Sequence, residues 1–224
     1  MKKTYSGLNA VLVLLTVINC VIYRMVGGIV MKGVASGTFA LLGLVNLCFA
    51  LQTRRAKGFP MWMAAALVIT AVADVVLRLD FMVGAVIFMA GHAVYFCGYC
   101  SLDRLGKRDL LPIAGMLAVT LTIVKCFFRF ESGDMETLVL AYGVVISFML
   151  GKAVSNLLRN QKRTRLVLVL GSALFWFSDL MLAWNLFAGG GYLADTLCLF
   201  TYWPGQAVLA FSVYLYTAAE DLER

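Results

Sequence analysis

The sequence predicts an all-α integral membrane protein with eight transmembrane helices, and three observations lead there. Hydrophobic residues make up 62% of the chain and charged residues only 14%, where a soluble domain carries about 25% charged residues. Apolar runs of about 18 residues or more recur from one end to the other, each long enough to cross a hydrocarbon core about 30 Å thick. The short alternating segments of a membrane β-barrel do not occur, whereas a helix bonds every backbone amide within its own segment.

The spans are expected, in order, at about 7–25, 33–52, 59–79, 81–101, 110–128, 136–157, 165–184 and 193–217. The first begins within the opening MKKTYSGLNAVLVLLTVINC, which has the charge and apolarity of a signal peptide. It lacks a small-residue cleavage site, and the Asn before Cys20 departs from a lipoprotein pattern, so it reads as an uncleaved first helix. Gly27-Gly28 separates helices one and two, and Gly58-Phe59-Pro60 opens helix three. Pro112 stands near the start of helix five, and Gly189-Gly190-Gly191 precedes helix eight. Pro204 falls inside helix eight and should kink it or break a local hydrogen bond. Connections this short leave no room for an extramembrane domain, so residues 1–224 read as one membrane domain.

The net charge of +7 sits in short basic clusters between apolar runs, which is a topology signal. No free basic helix interleaved with aromatics is present, which argues against nucleic acid as a partner. With the N-terminus in the cytoplasm, fourteen of the 19 Lys and Arg lie inside, and only Arg24, Lys32, Arg78, Lys125 and Arg129 lie outside. Both termini are therefore expected in the cytoplasm, with the chain in the cell membrane. The six cysteines, Cys97 and Cys100 included, read as buried small hydrophobes. One Cys-x-x-Cys lacks the second ligand pair of a zinc site.

Helices three and seven echo each other. Asp74 matches Asp179, Leu77 matches Leu182, Asp80 matches Asn185 and Gly84 matches Gly189, all at an offset of 105. Two parallel four-helix repeats, 1–105 and 106–224, would produce this pattern.

A carboxylate in hydrocarbon costs at least about 2.5–3.5 kcal/mol, so Asp74 and Asp179 within spans call for an explanation. Both lie roughly 8–9 Å below the outer boundary. Helices running the same way can aim two carboxylates at one depth into one cavity, where repulsion and desolvation would divide them into acid and base. A scaffold reading stands beside this one. Arg78 could neutralise Asp74 at i,i+4, and Asp179 could take a hydrogen bond from Ser178, Ser172 or another helix. His92, the only histidine, shares a helix face with Tyr95 and Tyr99. It is placed to line the cavity floor, to shuttle a proton, or to bond a backbone carbonyl. Tyr202 and Gln206 pair at i,i+4 around Pro204, and Lys32 opens helix two at about the depth of Asp74. Lys32 could snorkel or hold a lipid phosphate. Tyr142 and Met149 read as packing, and Asn46 as a hydrogen bond between helices. One histidine and two distant carboxylates give no metal-ligand spacing.

Read together, these residues resemble the YhhN family, the lysoplasmalogenase-like membrane proteins, along essentially the whole chain. The resemblance is carried by Ala73-Asp74, Phe81-Met82-Val83-Gly84, Gly91-His92 with Tyr95, and Tyr142 with Met149. It continues in the run from Gly171 to Asp179, then Asn185, Thr201-Tyr202 and Gln206. Ala73 and Gly33 depart from the family's usual Gly and Pro. The resemblance implies hydrolysis of the vinyl ether bond of a lysophospholipid, giving a fatty aldehyde and a glycerophospho-alcohol without cofactor or metal. On that expectation Asp74 and Asp179 are the acid and base. Lys32, His92, Tyr95, Tyr142, Ser178, Asn185, Tyr202 and Gln206 then bind or orient substrate and water. Two other classes remain open from the residues themselves: a small-molecule or lipid transporter using intramembrane aspartates, and a lipid-binding protein without turnover. Oligomeric state is not legible.

Overall fold

The computed structural model describes residues 2–54 and 58–219. Arg55, Lys57 and Arg224, of the set expected on the cytoplasmic side, lie outside the described residues. Eight α-helices follow one another: α1 (Lys2–Val26), α2 (Ile29–Gln52), α3 (Phe59–Leu79), α4 (Phe81–Leu102), α5 (Leu110–Phe127), α6 (Gly133–Arg159), α7 (Arg163–Phe187) and α8 (Gly191–Ala219). A 3-10 turn, Lys107–Asp109, leads into α5. All eight are long and apolar enough to cross a membrane, and no strand occurs among the described residues.

Several helices outrun the apolar stretch that predicts them. α1 begins at Lys2 and α6 at Gly133, where the Ser132 hydroxyl caps the helix by accepting from the Met135 amide at 3.3 Å. A helix continues past the hydrocarbon as long as its own backbone bonds are made, so hydropathy marks the span and not the helix end.

Helices α2, α3, α4, α6, α7 and α8 close into a ring, each packed on the next and α8 back on α2. α1 lies outside against α2 and α8, and α5 outside against α6. The tightest pairs are α3–α4 and α7–α8. Gly84 explains the first, because a Cβ there would collide with the backbone of Leu77. Gly171 explains the second, because its Cβ would stand 2.7 Å from Leu209 Cγ and 3.1 Å from the Gly205 carbonyl oxygen. α8 stays helical through Pro204, which has no amide to offer the Phe200 carbonyl.

The ring encloses Phe39, Tyr95, Tyr99, Phe175 and Trp203, all sealed from solvent. Large apolar side chains such as Leu14, Val72, Leu111 and Phe127 face outward, the arrangement that lipid rather than water covers. Cys48, Cys97 and Cys126 are also outward-facing, contrary to the expectation of buried thiols, and only Cys20 is fully sealed. In a bilayer an outward position is as apolar as a core one, so composition does not separate the two.

Asn46 ties helices together as expected. It exchanges amide hydrogen bonds with Asn9 at 2.7 and 2.9 Å and donates to the Ala210 carbonyl at 2.9 Å. Lys2 Nζ donates to the Ala218 carbonyl at 3.3 Å, so the start of α1 and the end of α8 share one face of the bundle. On that terminal face one of the counted basic residues is enclosed. Lys152 is not solvated but fully buried, 2.9 Å from an equally buried Asp109, whose other oxygen takes Arg159 at 2.8 Å. Asp103 pairs with Arg165 beside them at 2.8 Å.

Candidate active site

At the opposite, distal face the ring opens into a cavity of about 510 Å³. Its position follows from the local sequence: α3 and α7 end here, α2 and α8 begin here, and each brings a polar side chain within two or three turns of the end. Lys32 comes from α2, Asp74 and Arg78 from α3, Asp179 and Asn185 from α7, and Asp195 from α8. Both intramembrane aspartates thus line one space.

Their surroundings differ. Asp74 is almost sealed and fully engaged. Its Oδ1 lies 2.9 Å from Lys32 Nζ. Its Oδ2 accepts from Ser36 Oγ at 2.5 Å and from the Trp203 indole N–H at 3.1 Å. Trp203 is itself fixed edge-on against Tyr23. Both carboxylate oxygens are thus occupied, by one cation and two further donors. Arg78, the sequence neighbour at i,i+4, instead projects to the exposed rim of the cavity.

Asp179 meets no lysine or arginine among the described residues. Its Oδ2 accepts from the Tyr142 hydroxyl at 2.8 Å, with His92 Nε2 3.4 Å away. The same phenol oxygen lies 2.8 Å from His92 Nε2. A phenol has one proton, so while it donates to Asp179 it accepts from the imidazole, which fixes His92 with hydrogen on Nε2. The Met149 sulfur, 3.4 Å from Nδ1, and the Phe175 ring, 4.4 Å between centroids, clamp the imidazole from the other sides. Tyr142 and Met149, which read as packing in sequence, are the two groups that grip His92.

The YhhN family profile matches residues 34–213. The chain belongs to the YhhN family. No curated protein and no solved structure matches it. The family match encloses every site residue discussed above except Tyr23 and Lys32; Lys32 stands two positions before it and reaches in through its pair with Asp74.

Within this YhhN protein, Asp74, Asp179, Lys32, Ser178, Asn185 and Tyr202 line the distal cavity. The others do not. His92 lies behind Asp179 with no exposed surface, and Tyr142 reaches Asp179 from a smaller neighbouring cavity. Tyr95 and Gln206 sit deeper in the core and bond each other, phenol to amide oxygen, at 2.6 Å. Tyr202 contributes its ring rather than its hydroxyl, which donates to the Thr70 carbonyl at 3.1 Å. The Ser178 hydroxyl turns back to the Phe175 carbonyl at 2.7 Å.

Three wall or anchor residues escape the sequence reading. Ser36 and Trp203 complete the shell of Asp74. Asp195 lines the cavity and pairs with Arg24 at 3.1 Å, whose guanidinium lies over the Tyr192 ring. Ser36 stands one turn after Lys32, so the i,i+4 spacing was a usable signal. Trp203 offered none.

Proposed function

We propose that this protein is a hydrolase of the lysoplasmalogenase type, cleaving the vinyl ether bond of a single-chain lysophospholipid within the distal cavity. The observation that carries the reading is the unequal pair of carboxylates lining one cavity. Asp74 is paired with Lys32, while Asp179 faces the cavity with a phenol and an imidazole at its back. Membership of the YhhN family supports the same reaction class.

Asp179 is the acid. Its carboxyl proton goes to the alkene carbon remote from the ether oxygen, and the electron pair of the double bond forms the new C–H bond. The adjacent carbon and oxygen then share an oxocarbenium charge, which the Asp74 carboxylate stabilises across the cavity. Water adds to that carbon and returns a proton to Asp179, as carboxylates do in glycoside hydrolysis. The hemiacetal then collapses: its C–O bond to the glycerol breaks as the hydroxyl gives up its proton and the departing oxygen gains one, leaving a fatty aldehyde and the freed glycerophospho-alcohol. Tyr142 donates to Asp179 whenever it is ionised, and His92 holds Tyr142 in place. Lys32, Arg78 and Asn185 form the polar side that receives the head group. Membrane lipids surround the ring, both termini face the cytoplasm, and the pairing of α2 with α8 and of α4 with α6 supports two parallel repeats. No step calls for a metal or a cofactor.

Aldehyde release from a lysoplasmalogen by the purified protein tests the reading. Release by the wild type, lost in Asp179→Asn, supports it. A well-folded wild type that releases none would end it.

A further inference from the structure

Two smaller cavities lie against Asp179, neither of them lined by Lys32, Asp74 or Arg78; the first adjoins the distal cavity along Leu77, Phe81 and Phe88, and the second touches it at Asp179 alone. One, of about 60 Å³, is walled by Ala85 and Phe88 of α4, Leu138 and Val139 of α6, and Ala183 of α7. The other, of about 40 Å³, runs between Val124 of α5, Gly143 and Ile146 of α6, and Trp176 and Ala183 of α7. Val139, Tyr142, Asp179 and Ala183 belong to both, and Asp179 also lines the distal cavity. The three spaces therefore meet at one carboxyl group. The smaller two follow the α6–α7 seam, where helices adjacent in sequence and packed together make their slightest contact. From Leu138 to Ile146 the passage tracks α6 for about 12 Å. Its few polar groups are committed, since the Trp176 indole N–H is bonded to Thr120 at 2.9 Å and the Tyr142 hydroxyl to Asp179.

We infer that this passage is the binding site for the hydrocarbon chain of the lipid, with the first carbons of the chain at Asp179 and the rest along the α6–α7 seam. This rests on the proposed hydrolase reading for its substrate class. The seam lies within the spanning length of α6 and α7, so the matter that reaches it is acyl chain. Water there would lack the two to four polar partners that hold a buried water. One passage accepts one chain. Its other end opens on Lys32 and Arg78, which suit a phosphate-bearing head and would be wasted on an uncharged ether.

The test uses purified full-length protein in an unbrominated detergent and an ester-linked lysophosphatidylcholine brominated at mid-chain. Bromine quenches indole fluorescence at contact. The expected result is a saturable loss of fluorescence that disappears in Trp176→Phe and persists in Trp62→Phe. In parallel, Ala183→Trp, which shortens the passage, should lower the ratio of long-chain to short-chain vinyl ether hydrolysis about tenfold for every two methylenes displaced. Val72→Trp, on the lipid-facing side of α3, should leave that ratio alone. Quenching that is unchanged in Trp176→Phe would overturn the chain site even while the wild type releases aldehyde. Quenching through Trp176 in a protein that releases no aldehyde would keep the chain site and remove the hydrolase reading.

Discussion

Asp74 and Asp179 occupy equivalent places in the two halves of the sequence, 105 residues apart, yet the fold treats them differently. Asp74 is enclosed by Lys32, Ser36 and Trp203, drawn from α2 and α8. Asp179 is backed by Tyr142 and His92, drawn from α6 and α4. In the ring, α2 and α8 flank α3 and α7 as partners, and so do α6 and α4. Similar scaffolds thus present a carboxylate to one cavity, and the substitution of neighbours divides their chemistry. A cation, a hydroxyl and an indole saturate one, and a phenol and an imidazole back the other, which on the proposed reading carries and releases the proton.

That contrast can be broken experimentally. The largest effect is expected from Asp179→Asn, which should lower turnover about 10²–10⁴-fold, as loss of a general acid does, with little change in melting temperature. Aldehyde release and a thermal melt on the same preparation check both halves. Asp74→Asn should lower turnover about 10²-fold, through lost stabilisation of the oxocarbenium charge, and should lower the melting temperature as well. It leaves Lys32 without its partner at the wall of the cavity, where access to water moderates the penalty of an unpaired charge. The double variant Asp74→Asn with Lys32→Met should melt higher than Asp74→Asn alone. Tyr142→Phe removes one charge-assisted donor from Asp179 and should reduce turnover about 10–100-fold. Adding His92→Asn to it should cost less than the two separate losses combined, since His92 acts through the phenol. Asn185→Ala is expected to do least, raising KM less than about tenfold, because its side chain makes no hydrogen bond to the described residues and contributes only to the cavity wall.

The eight helices were legible because a bilayer leaves little choice for an apolar run of that length. The aspartates were legible for the converse reason, that charge within such a run is costly enough to require a partner. The partner itself was not. Arg78 is one helical turn from Asp74 and looked like the natural cation, but a residue at the distal end of α3 turns to the rim, and Lys32 crosses from α2 instead. Tyr95 and Gln206 also show a limit of periodicity. A polar stripe on a spanning helix reports that it faces inward, without distinguishing a cavity wall from a packed core, and these two meet each other in the core. Trp203 could not be found from sequence, because an aromatic in a spanning helix is usual and its role depends on a hydrogen bond from α8 to α3. The buried Asp109–Lys152–Arg159 cluster was hidden for a related reason, since a lysine near a helix end reads as solvated until the packing of α6 is known.

The hydrogen bond from Lys2 to the Ala218 carbonyl has a consequence for how the chain could be rearranged. With the first and last helical residues side by side on one face, a short peptide could join them and new ends could be cut between Leu102 and Lys107, on that same face. The resulting chain would run α5 to α8 and then α1 to α4, crossing the bilayer in the same directions as before. Every helix would keep its neighbours, and the order in which the two halves are synthesised would be exchanged.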